Sequence, residues 1–242
     1  LAAALKGADC VVVATPTILA ETIMIQALEL LPSTVAVTDV ASVKGNIADA
    51  LTGHFDKVPS NAILGHPIAG SEHSGVSAAK EDLYQNHRVI LINDPASSLQ
   101  TDPVLLAKVS QLWQAVGAEV FEMSVSEHDH VLALTSHLPH LLAYALVAQL
   151  SNHNENVNVF NFAAGGLRDF TRIASSDPRM WREILLANKT QLSSSIDDFE
   201  QWIAQLRTML DSNDGDALEM VFSDVKNSRD NFVAELAERT KK

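Results

Sequence analysis

Four short segments of the chain hold most of the residues whose types could do chemistry. The first, residues 38–45, reads Thr-Asp-Val-Ala-Ser-Val-Lys-Gly and lies where a predicted strand gives way to a predicted helix. In open α/β sheets, ligands bind at the carboxyl ends of the strands. Asp39 and Ser42 are therefore placed to face a ligand, although Ser42 could equally serve only as the cap of the helix.

The second segment, residues 65–75, reads Gly-His-Pro-Ile-Ala-Gly-Ser-Glu-His-Ser-Gly and follows another predicted strand. It places His66 just past the strand end, between a glycine and a proline. A proline restricts the backbone of the residue before it, which suits a positioned acid or base. A purely structural histidine stays open as the alternative, because a single histidine has many uses besides catalysis.

The third segment is a predicted helix that carries several histidines. His130, His137 and His140 fall on roughly one helical face, whereas His128 is expected at the surface. Three imidazoles on one face could hold a metal ion, but no cysteine or carboxylate cluster completes the ligand set. Hydrogen bonds to a bound carboxylate explain the same face, so we predict no metal. Pro139 should kink the helix and free backbone groups.

The fourth segment, residues 165–182, is rich in arginine. Its four arginines are Arg168, Arg172, Arg179 and Arg182. Arginine binds carboxylates through two parallel hydrogen bonds. Because the chain has a net charge of −13, an anionic substrate would need such a local basic pocket. Surface ion pairs with neighbouring carboxylates are the alternative, and we expect them for about two of the four.

Apolar patterning predicts alternating strands and helices in the first half of the chain. The strands are predicted at residues 8–14, 34–40, 62–64, 89–92 and 118–123, and the helices at 18–31, 42–51 and 104–116. Strands and helices that alternate at this spacing indicate βαβ units and a parallel sheet.

The second half reads as helical throughout. Ser124 and Glu127 form a capping box that opens a helix to about residue 150. The pair Asp177-Pro178 starts another helix, over residues 179–210, and a last one covers about 217–239. We therefore divide the chain into domains at residues 1–123 and 124–242.

Composition excludes several classes of function. The chain of 242 residues is 47% hydrophobic, which allows a sizeable core, and it has no run of eighteen apolar residues that would predict a membrane span. Its strongly negative charge argues against nucleic acid as a partner. The single cysteine, Cys10, cannot form a disulfide within the chain and fits a reducing cytoplasm.

One expected motif is absent from the sequence. A dinucleotide-binding sheet normally opens with strand, Gly-x-Gly-x-x-Gly and helix, and no such glycine pattern occurs here. The first residue is Leu1, and the chain runs quickly into a Val-rich strand that looks like a later strand of such a sheet. We therefore expect the opening units to be missing and the chain to begin partway through a longer protein.

Taken in order, the four segments resemble the prephenate/arogenate dehydrogenase family. The resemblance covers nearly the whole chain and implies a truncated Rossmann-like parallel-sheet domain followed by an all-helical domain that forms a homodimer. It also implies the reaction, an NAD- or NADP-dependent oxidative decarboxylation of prephenate or arogenate. The products would be 4-hydroxyphenylpyruvate or tyrosine, in tyrosine biosynthesis.

The resemblance implies roles for individual residues. His66 matches the catalytic histidine that accepts the proton of the substrate hydroxyl. Ser42 matches a serine that bonds near that histidine, the substrate hydroxyl and the nicotinamide. Arg172 matches an arginine that binds a substrate carboxylate, and His140 a substrate-site histidine that His137 supports.

Further matches complete the implied site. Trp181 matches a pocket aromatic, and Asp169 a residue that reaches in from the partner subunit. Ser71 stands where the family often has threonine, and it keeps the hydroxyl for substrate binding.

The implied cofactor contacts lie at two strand ends. Thr15 and Pro16 resemble the loop that runs along the cofactor, and Asp39 and Ser42 are the other expected contacts. The choice between NAD and NADP stays open, as does the choice between prephenate and arogenate.

Two other functions remain possible on the sequence alone. The chain could be a binding module that dimerises and holds an aromatic ligand without turnover. It could also be another two-domain hydroxy-acid dehydrogenase, in which a lysine of the helical domain acts as acid and base. Lys189 is the candidate for that lysine.

Overall fold

The computed structural model describes residues 1–70, 79–94, 99–152 and 159–239. The chain forms two compact units, residues 1–192 and 193–242. The predicted domain boundary after residue 123 follows a change in local pattern and stays a prediction. The first unit contains both sheets and every described residue that the sequence placed in the site.

The first sheet is parallel throughout, in the strand order β1-β2-β3. Its strands and helices are α1 (Ala2–Leu5), β1 (Cys10–Val13), α2 (Thr17–Leu30), β2 (Ala36–Asp39), α3 (Gly45–Phe55) and β3 (Ala62–Ile63). Val13 is opposite Asp39 in the register, so β1 and β2 end at the same edge. The loops that follow these strands therefore meet there, as the sequence predicted for a ligand-binding edge.

The second sheet follows immediately, in the order β4-β5-β6. It comprises β4 (Gly65–Ile68), β5 (Arg88–Ile92) and β6 (Glu119–Met123), with α4 (Pro103–Ala115) between the last two strands. β5 and β6 are parallel, whereas β4 is antiparallel to β5. The carbonyl of Leu64 accepts a hydrogen bond of 2.8 Å from β5, which joins the two sheets.

The Rossmann-like α/β fold class is confirmed, with one strand that the sequence analysis missed. The segment that starts Gly65-His66-Pro67 lacks an apolar run, and it becomes β4 because its backbone pairs with β5. His66 therefore lies inside a strand, and not just past a strand end as predicted. Its backbone position is fixed by the sheet and does not depend on the proline alone.

The cores lie on the two faces of these sheets. One cluster packs β1 and β2 against α2 and α3, and the other packs β5 against α4. The central members of these clusters are fully or almost fully buried: Val13, Met24, Val37, Ile47, Leu51, Ile63, Leu91, Val109 and Trp113. β2 and the apolar part of β5 are buried on both faces, which explains their continuous apolar runs. The Val-rich β1 is an edge strand, and its Val12 is 41% exposed.

The first long helix of the helical half is interrupted near its middle. α5 (Val125–Leu132) starts at the predicted capping box, is followed by a π-helical turn (Ala133–His137), and continues as α6 (Leu138–Asn152). Pro139 has no N–H to donate, so the backbone before it takes the wider π turn. The inserted turn changes which histidines share a face. His128 is fully buried and His130 is exposed, the reverse of the prediction.

The remaining helices are shorter at first and then long. They are a 3₁₀ turn (Val159–Phe162), α7 (Gly165–Thr171), a second 3₁₀ turn (Arg172–Ser175), α8 (Pro178–Ala187), α9 (Lys189–Asp211) and α10 (Gly215–Arg239). The cap predicted at Asp177 is confirmed, since its carboxylate accepts from Met180 N at 2.7 Å. The helix predicted over residues 179–210 is two helices, which separate at the buried Asn188.

One stretch, Val125–Asn152, is long and apolar enough to cross a membrane by length and composition. Core helices of soluble proteins pass the same test. This stretch carries His128, Asp129 and His137, whose side chains make buried hydrogen bonds to other parts of the first unit. A span in lipid would leave those partners behind, so we assign the stretch to the packed first unit, where one of its sides is buried.

A buried ion pair ties the parallel sheet to α3 and β4. The Lys44 ammonium and the Asp39 carboxylate are both fully buried and hydrogen-bonded to each other. Lys44 Nζ also donates to the carbonyl of Gly65 at 2.7 Å, and the Gly65 N–H donates to Asp39 Oδ1 at 3.1 Å. Burial lowers the pKa of Lys44, and the charge of Asp39 acts in the opposite direction.

Removing one member of this pair should destabilise the protein strongly. Lys44→Met leaves the Asp39 carboxylate buried without its cation, which costs about 3–5 kcal/mol. Urea unfolding of the full-length protein measures the change. Lys226→Met is the control, because its ion pair with Asp230 is exposed and should contribute less than about 1 kcal/mol. Similar small losses in both variants would contradict the structural role of the pair.

Candidate functional site

His66 lies at the centre of a buried polar network. It is 8% exposed, and its Nδ1 is 2.9 Å from Nε2 of His128. The two rings meet edge to face with centroids 5.1 Å apart. Gly65 precedes it, and a side chain there would collide with the Asp39 carbonyl at 3.0 Å. Glycine at this position therefore allows β4 to approach β2 closely.

Asp129 is the anchor of the same network. Its Oδ1 is 2.7 Å from His128 Nδ1 and accepts from the Lys44 N–H at 3.0 Å. Its Oδ2 accepts from the Gly45 N–H at 2.8 Å. Burial alone would raise the pKa of Asp129. The hydrogen bonds from the His128 ring and from the Lys44 and Gly45 N–H groups outweigh burial, so this pKa lies below its ordinary value. A carboxylate on α5 thus caps α3 from outside that helix.

The imidazole rings of this network are in their neutral form near neutral pH. Burial lowers the pKa of His66 well below its ordinary value, and the nearby His128, Lys44 and His137 act in the same direction. Burial also lowers the pKa of His128, against the opposing effect of Asp129. A neutral imidazole at position 66 is the form that can accept a proton.

His137 and Asn188 form a second buried contact beside this network. His137 is 1% exposed, and its Nδ1 accepts from the Asn188 amide at 3.0 Å. The same amide donates to the backbone carbonyl of Asp129 at 2.7 Å. Burial lowers the pKa of His137 to about 4. Asn188, which separates α8 from α9, therefore holds the neutral His137 ring in place and bonds the backbone of α5.

His140, Trp181 and Arg172 form the more open side of the site. The His140 ring stacks on Trp181 with centroids 3.5 Å apart and an angle of 19°. Its Nδ1 donates to the Ser136 carbonyl at 2.9 Å, which leaves Nε2 as an acceptor. Burial lowers the pKa of His140, and the positive charge of Arg172 contributes in the same direction. The indole N–H of Trp181 is buried without a hydrogen-bond partner among the described residues.

The other three arginines of the basic segment pair with neighbouring carboxylates. Arg168 Nε is 3.2 Å from Asp169, and both side chains are exposed. Arg179 and Arg182 both approach Glu183, at 3.4 and 3.6 Å. Three of the four arginines therefore make the ion pairs that we expected for two. Asp169 has its contact within this chain, and its reach into a partner subunit stays a prediction.

The loops after the parallel strands hold the remaining predicted residues. Ser42 is half-buried between β2 and α3, and Thr15 and Pro16 lie between β1 and α2. Asp39 does not face a ligand as predicted, because its carboxylate is 0% exposed and bonded to Lys44, Gly65 and the Ala41 N–H. Ser71 lies outside the described residues.

Sequence reasoning missed four members of the site, namely Lys44, His128, Asp129 and Asn188. His128 was expected at the surface, away from the face of the later histidines, and Asp129 was given no role. The signal that could have found them is Pro139, because the π turn it induces shifts the register of the helix. In the described ranges, no three His, Cys, Asp or Glu side chains are arranged to hold a metal ion.

A Rossmann-like sheet, a buried histidine in strand β4 and a following helical segment that carries Arg172 are together the arrangement expected of a nicotinamide-dependent oxidoreductase. Residues 2–122 match the family model of the prephenate dehydrogenase nucleotide-binding domain, and residues 124–224 match that of the prephenate dehydrogenase dimerization domain. The chain belongs to the prephenate dehydrogenase family.

Individual relatives agree with the family model. Cyclohexadienyl dehydrogenase of Zymomonas mobilis is 34% identical over 93% of this chain and 76% of its own length. Prephenate dehydrogenase of Bacillus subtilis is 40% identical over 93% of this chain and 60% of its own length. A solved structure of Aquifex aeolicus prephenate dehydrogenase, in complex with hydroxyphenyl propionate and NAD+, is 36% identical with a TM-score of 0.84. It covers 91% of this chain and 75% of the Aquifex chain.

The residues at the sheet edge fit one end of a dinucleotide. Thr15 Oγ1 is buried without a hydrogen-bond partner among the described residues. α2 begins at Thr17, directly after Pro16, and has no side-chain cap. A free hydroxyl and an uncapped helix N-terminus are groups that bind polar or anionic ligands. Since the sequence contains no Gly-x-Gly-x-x-Gly, we assign no residue to the pyrophosphate.

The depressed pKa of His137 predicts acid sensitivity. Its folded-state pKa of about 4 lies below the ordinary 6.5, so the unfolded chain binds the proton first as the pH falls. The stability from this group is present above pH 6.5 and lost as the pH falls to about 4. In His137→Asn an acceptor for Asn188 remains but nothing titrates. Between pH 7 and pH 4, the free energy of unfolding of His137→Asn should therefore fall by on the order of 3 kcal/mol less than that of the wild type.

Urea unfolding at several pH values measures this difference. The matched control is His130→Asn, an exposed histidine on α5, which should keep the wild-type pH dependence. Parallel curves for wild type and His137→Asn would contradict the assignment of acid sensitivity to His137.

Proposed function

We propose that the protein containing this chain is an NAD- or NADP-dependent dehydrogenase that oxidatively decarboxylates prephenate or arogenate. The observation that carries this proposal is the buried, neutral His66 at the edge of the nucleotide-binding sheet. Its Nδ1 is engaged by His128, so its Nε2 is the nitrogen that remains for a substrate. The names of the relatives indicate the substrate class, and the burial and contacts of His66 support it as the proton acceptor.

The chain's own residues have a limited task in this reaction. The cofactor, when bound, supplies the acceptor for the hydride that leaves the carbon bearing the ring hydroxyl. His66 takes the hydroxyl proton at Nε2 as the hydride departs. The ring carboxylate leaves as CO₂, and its bonding electrons complete the aromatic ring as a phenolate. The phenolate oxygen then takes the proton back from His66, so that the product is a phenol and no proton is released overall. Because aromatisation drives the reaction, the protein mainly orients the reacting groups and accepts one proton.

Ser42 is placed to orient this step. It lies in the loop after β2, and β4, which carries His66, contacts β2. Its side chain is half-buried and has no hydrogen bond to another described residue. We propose that its hydroxyl bonds the substrate hydroxyl and the nicotinamide, beside Thr15 and Pro16 along the cofactor.

The open side of the site is suited to the anionic part of the substrate. Arg172 and the Trp181 indole offer donors, and His140 stacks on the indole. A local positive charge is needed here because the chain as a whole carries −13. We propose that Arg172 binds a substrate carboxylate, with His140 and Trp181 as the wall of the pocket.

Replacing His66 tests the proposed function directly. His66→Asn in the full-length protein removes the proton acceptor but keeps a polar group of similar size. With prephenate or arogenate and NAD or NADP, kcat should fall by about 10²–10⁴-fold, while KM changes little.

The control for that experiment is His130→Asn, which alters an exposed histidine of α5. It should retain wild-type kcat and KM. If the wild-type protein turns over none of the four substrate and cofactor pairs, the proposed reaction is wrong. A non-catalytic binding module would then be the favoured function.

Arg172 should act on binding more than on the chemical step. Arg172→Gln removes the proposed carboxylate contact, so KM should rise by about 10-fold or more, in line with a charge-assisted hydrogen bond. Arg179→Gln is the matched control, since Arg179 is exposed and paired with Glu183. Steady-state kinetics of the two variants would contradict the assignment if their KM values were equal.

We also propose that the protein is a homodimer through its helical half. The second unit exposes many large apolar side chains, at 42–68% of their surface: Trp202, Ile203, Leu210, Met220, Phe222, Val225, Phe232, Val233 and Leu236. Apolar area of this extent indicates an interface, and the matching family model is a dimerization domain. Analytical ultracentrifugation of the full-length protein would refute the dimer by showing only monomer.

Localisation and the remaining alternative are also open to test. The free thiol of Cys10 supports a reducing, cytoplasmic location, which cell fractionation would check. A hydroxy-acid dehydrogenase that uses Lys189 is disfavoured, because Lys189 is exposed at the start of α9 whereas Asn188 beside it is buried.

A further inference from the structure

His128 and Asp129 form a buried pair behind His66. His128 is 0% exposed and Asp129 6% exposed. The atoms form a continuous line from Asp129 Oδ1 to His128 Nδ1, at 2.7 Å, and from His128 Nε2 to His66 Nδ1, at 2.9 Å. Each hydrogen bond in this buried line needs one donor and one acceptor, so the position of one hydrogen fixes the positions of the others.

The Asp129 end of the line is held rigidly. Two backbone N–H groups at the start of α3, those of Lys44 and Gly45, donate to its two carboxylate oxygens. The positive end of a helix favours a negative charge at this place. A side chain at Gly45 would lie 2.7 Å from Asp129 Oδ2, so the glycine lets the carboxylate approach the backbone closely.

The carboxylate fixes the direction of every proton in the line. An ionised carboxylate can only accept, so His128 Nδ1 carries a hydrogen and donates it to Asp129. A neutral His128 then has a bare Nε2, which accepts the hydrogen on His66 Nδ1. A neutral His66 is left with an unprotonated Nε2. Asp129 thus determines the tautomer of His66 through the two hydrogen bonds of His128.

We propose that His128 and Asp129 are positioning residues that keep His66 in the tautomer able to accept the substrate proton. The inference rests on the proposed function, in which His66 is that acceptor. When the hydroxyl proton arrives at His66 Nε2, the ring becomes an imidazolium and keeps its Nδ1 hydrogen bond to His128. The Asp129 carboxylate stabilises the new positive charge through His128, and no further proton needs to move.

Asp129→Asn tests the direction of the protons. The amide has a single oxygen, so its NH₂ group must face either the Gly45 N–H, or the Lys44 N–H together with His128 Nδ1, and in both cases the negative charge that stabilises the imidazolium is lost. In the second case the NH₂ group donates to His128 Nδ1. His128 would then carry its hydrogen on Nε2, and His66 would turn to the tautomer with hydrogen on its own Nε2. We expect kcat to fall by at least about 10²-fold, with KM within about threefold of wild type.

Two variants of His128 separate positioning from packing. His128→Phe fills the ring volume without an acceptor, whereas the Gln side chain of His128→Gln places an oxygen near the former Nε2. We expect His128→Phe to lose as much kcat as Asp129→Asn, and His128→Gln to recover at least about tenfold of that loss. Thermal unfolding of each variant accompanies the kinetics. His130→Phe is the control, since that histidine is exposed.

The outcomes distinguish the inference from the function on which it rests. Loss of kcat in His66→Asn and Asp129→Asn, with rescue in His128→Gln, supports both. If His66→Asn is inactive while Asp129→Asn keeps kcat within threefold of wild type, the positioning role is wrong and the proposed function stands. Equal losses in His128→Phe and His128→Gln, in step with lower unfolding temperatures, would also overturn positioning in favour of packing. A fully active His66→Asn protein would refute the proposed function itself.

Discussion

The Asp129 carboxylate is the group on which the rest of the site depends. It accepts from the start of α3 and is in contact with His128, so it joins the helical half of the chain to the nucleotide-binding sheet. A buried carboxylate is stable only when donors surround it, and these donors come from both halves. The same bonds that join the two halves therefore also orient the histidine that is to act on the substrate.

The buried ion pair of Lys44 and Asp39 completes this arrangement. Lys44 and Asp39 fix β2 against β4, while the Lys44 N–H contacts Asp129. One lysine thus takes part in both networks, through its side chain and its backbone. The positive charge of Lys44 also helps to lower the pKa of His66, after the larger effect of burial. The contacts of Lys44 therefore both fix the strand that carries His66 and help to lower the pKa of His66.

The sequence predicted the βαβ order, both helix caps and the family, because these follow from local patterns. It did not predict β4, which forms only through pairing with β5. It also did not predict the burial of His128, whose partner His66 is 62 residues away in the sequence. Asp39 was assigned to a cofactor because strand ends usually face ligands. Its actual partner, Lys44, is five residues away and was not considered, since lysine is rarely buried.

The most direct measurement is nitrogen NMR of the histidine rings in the full-length protein at neutral pH. Labelled histidine, with His66→Asn used to assign the signal, reports which ring nitrogen of His66 carries hydrogen. We expect a neutral His66 with hydrogen on Nδ1 and none on Nε2. A His66 ring with hydrogen on Nε2 alone, or one charged at both nitrogens, would contradict it, because neither form can accept the substrate proton at Nε2.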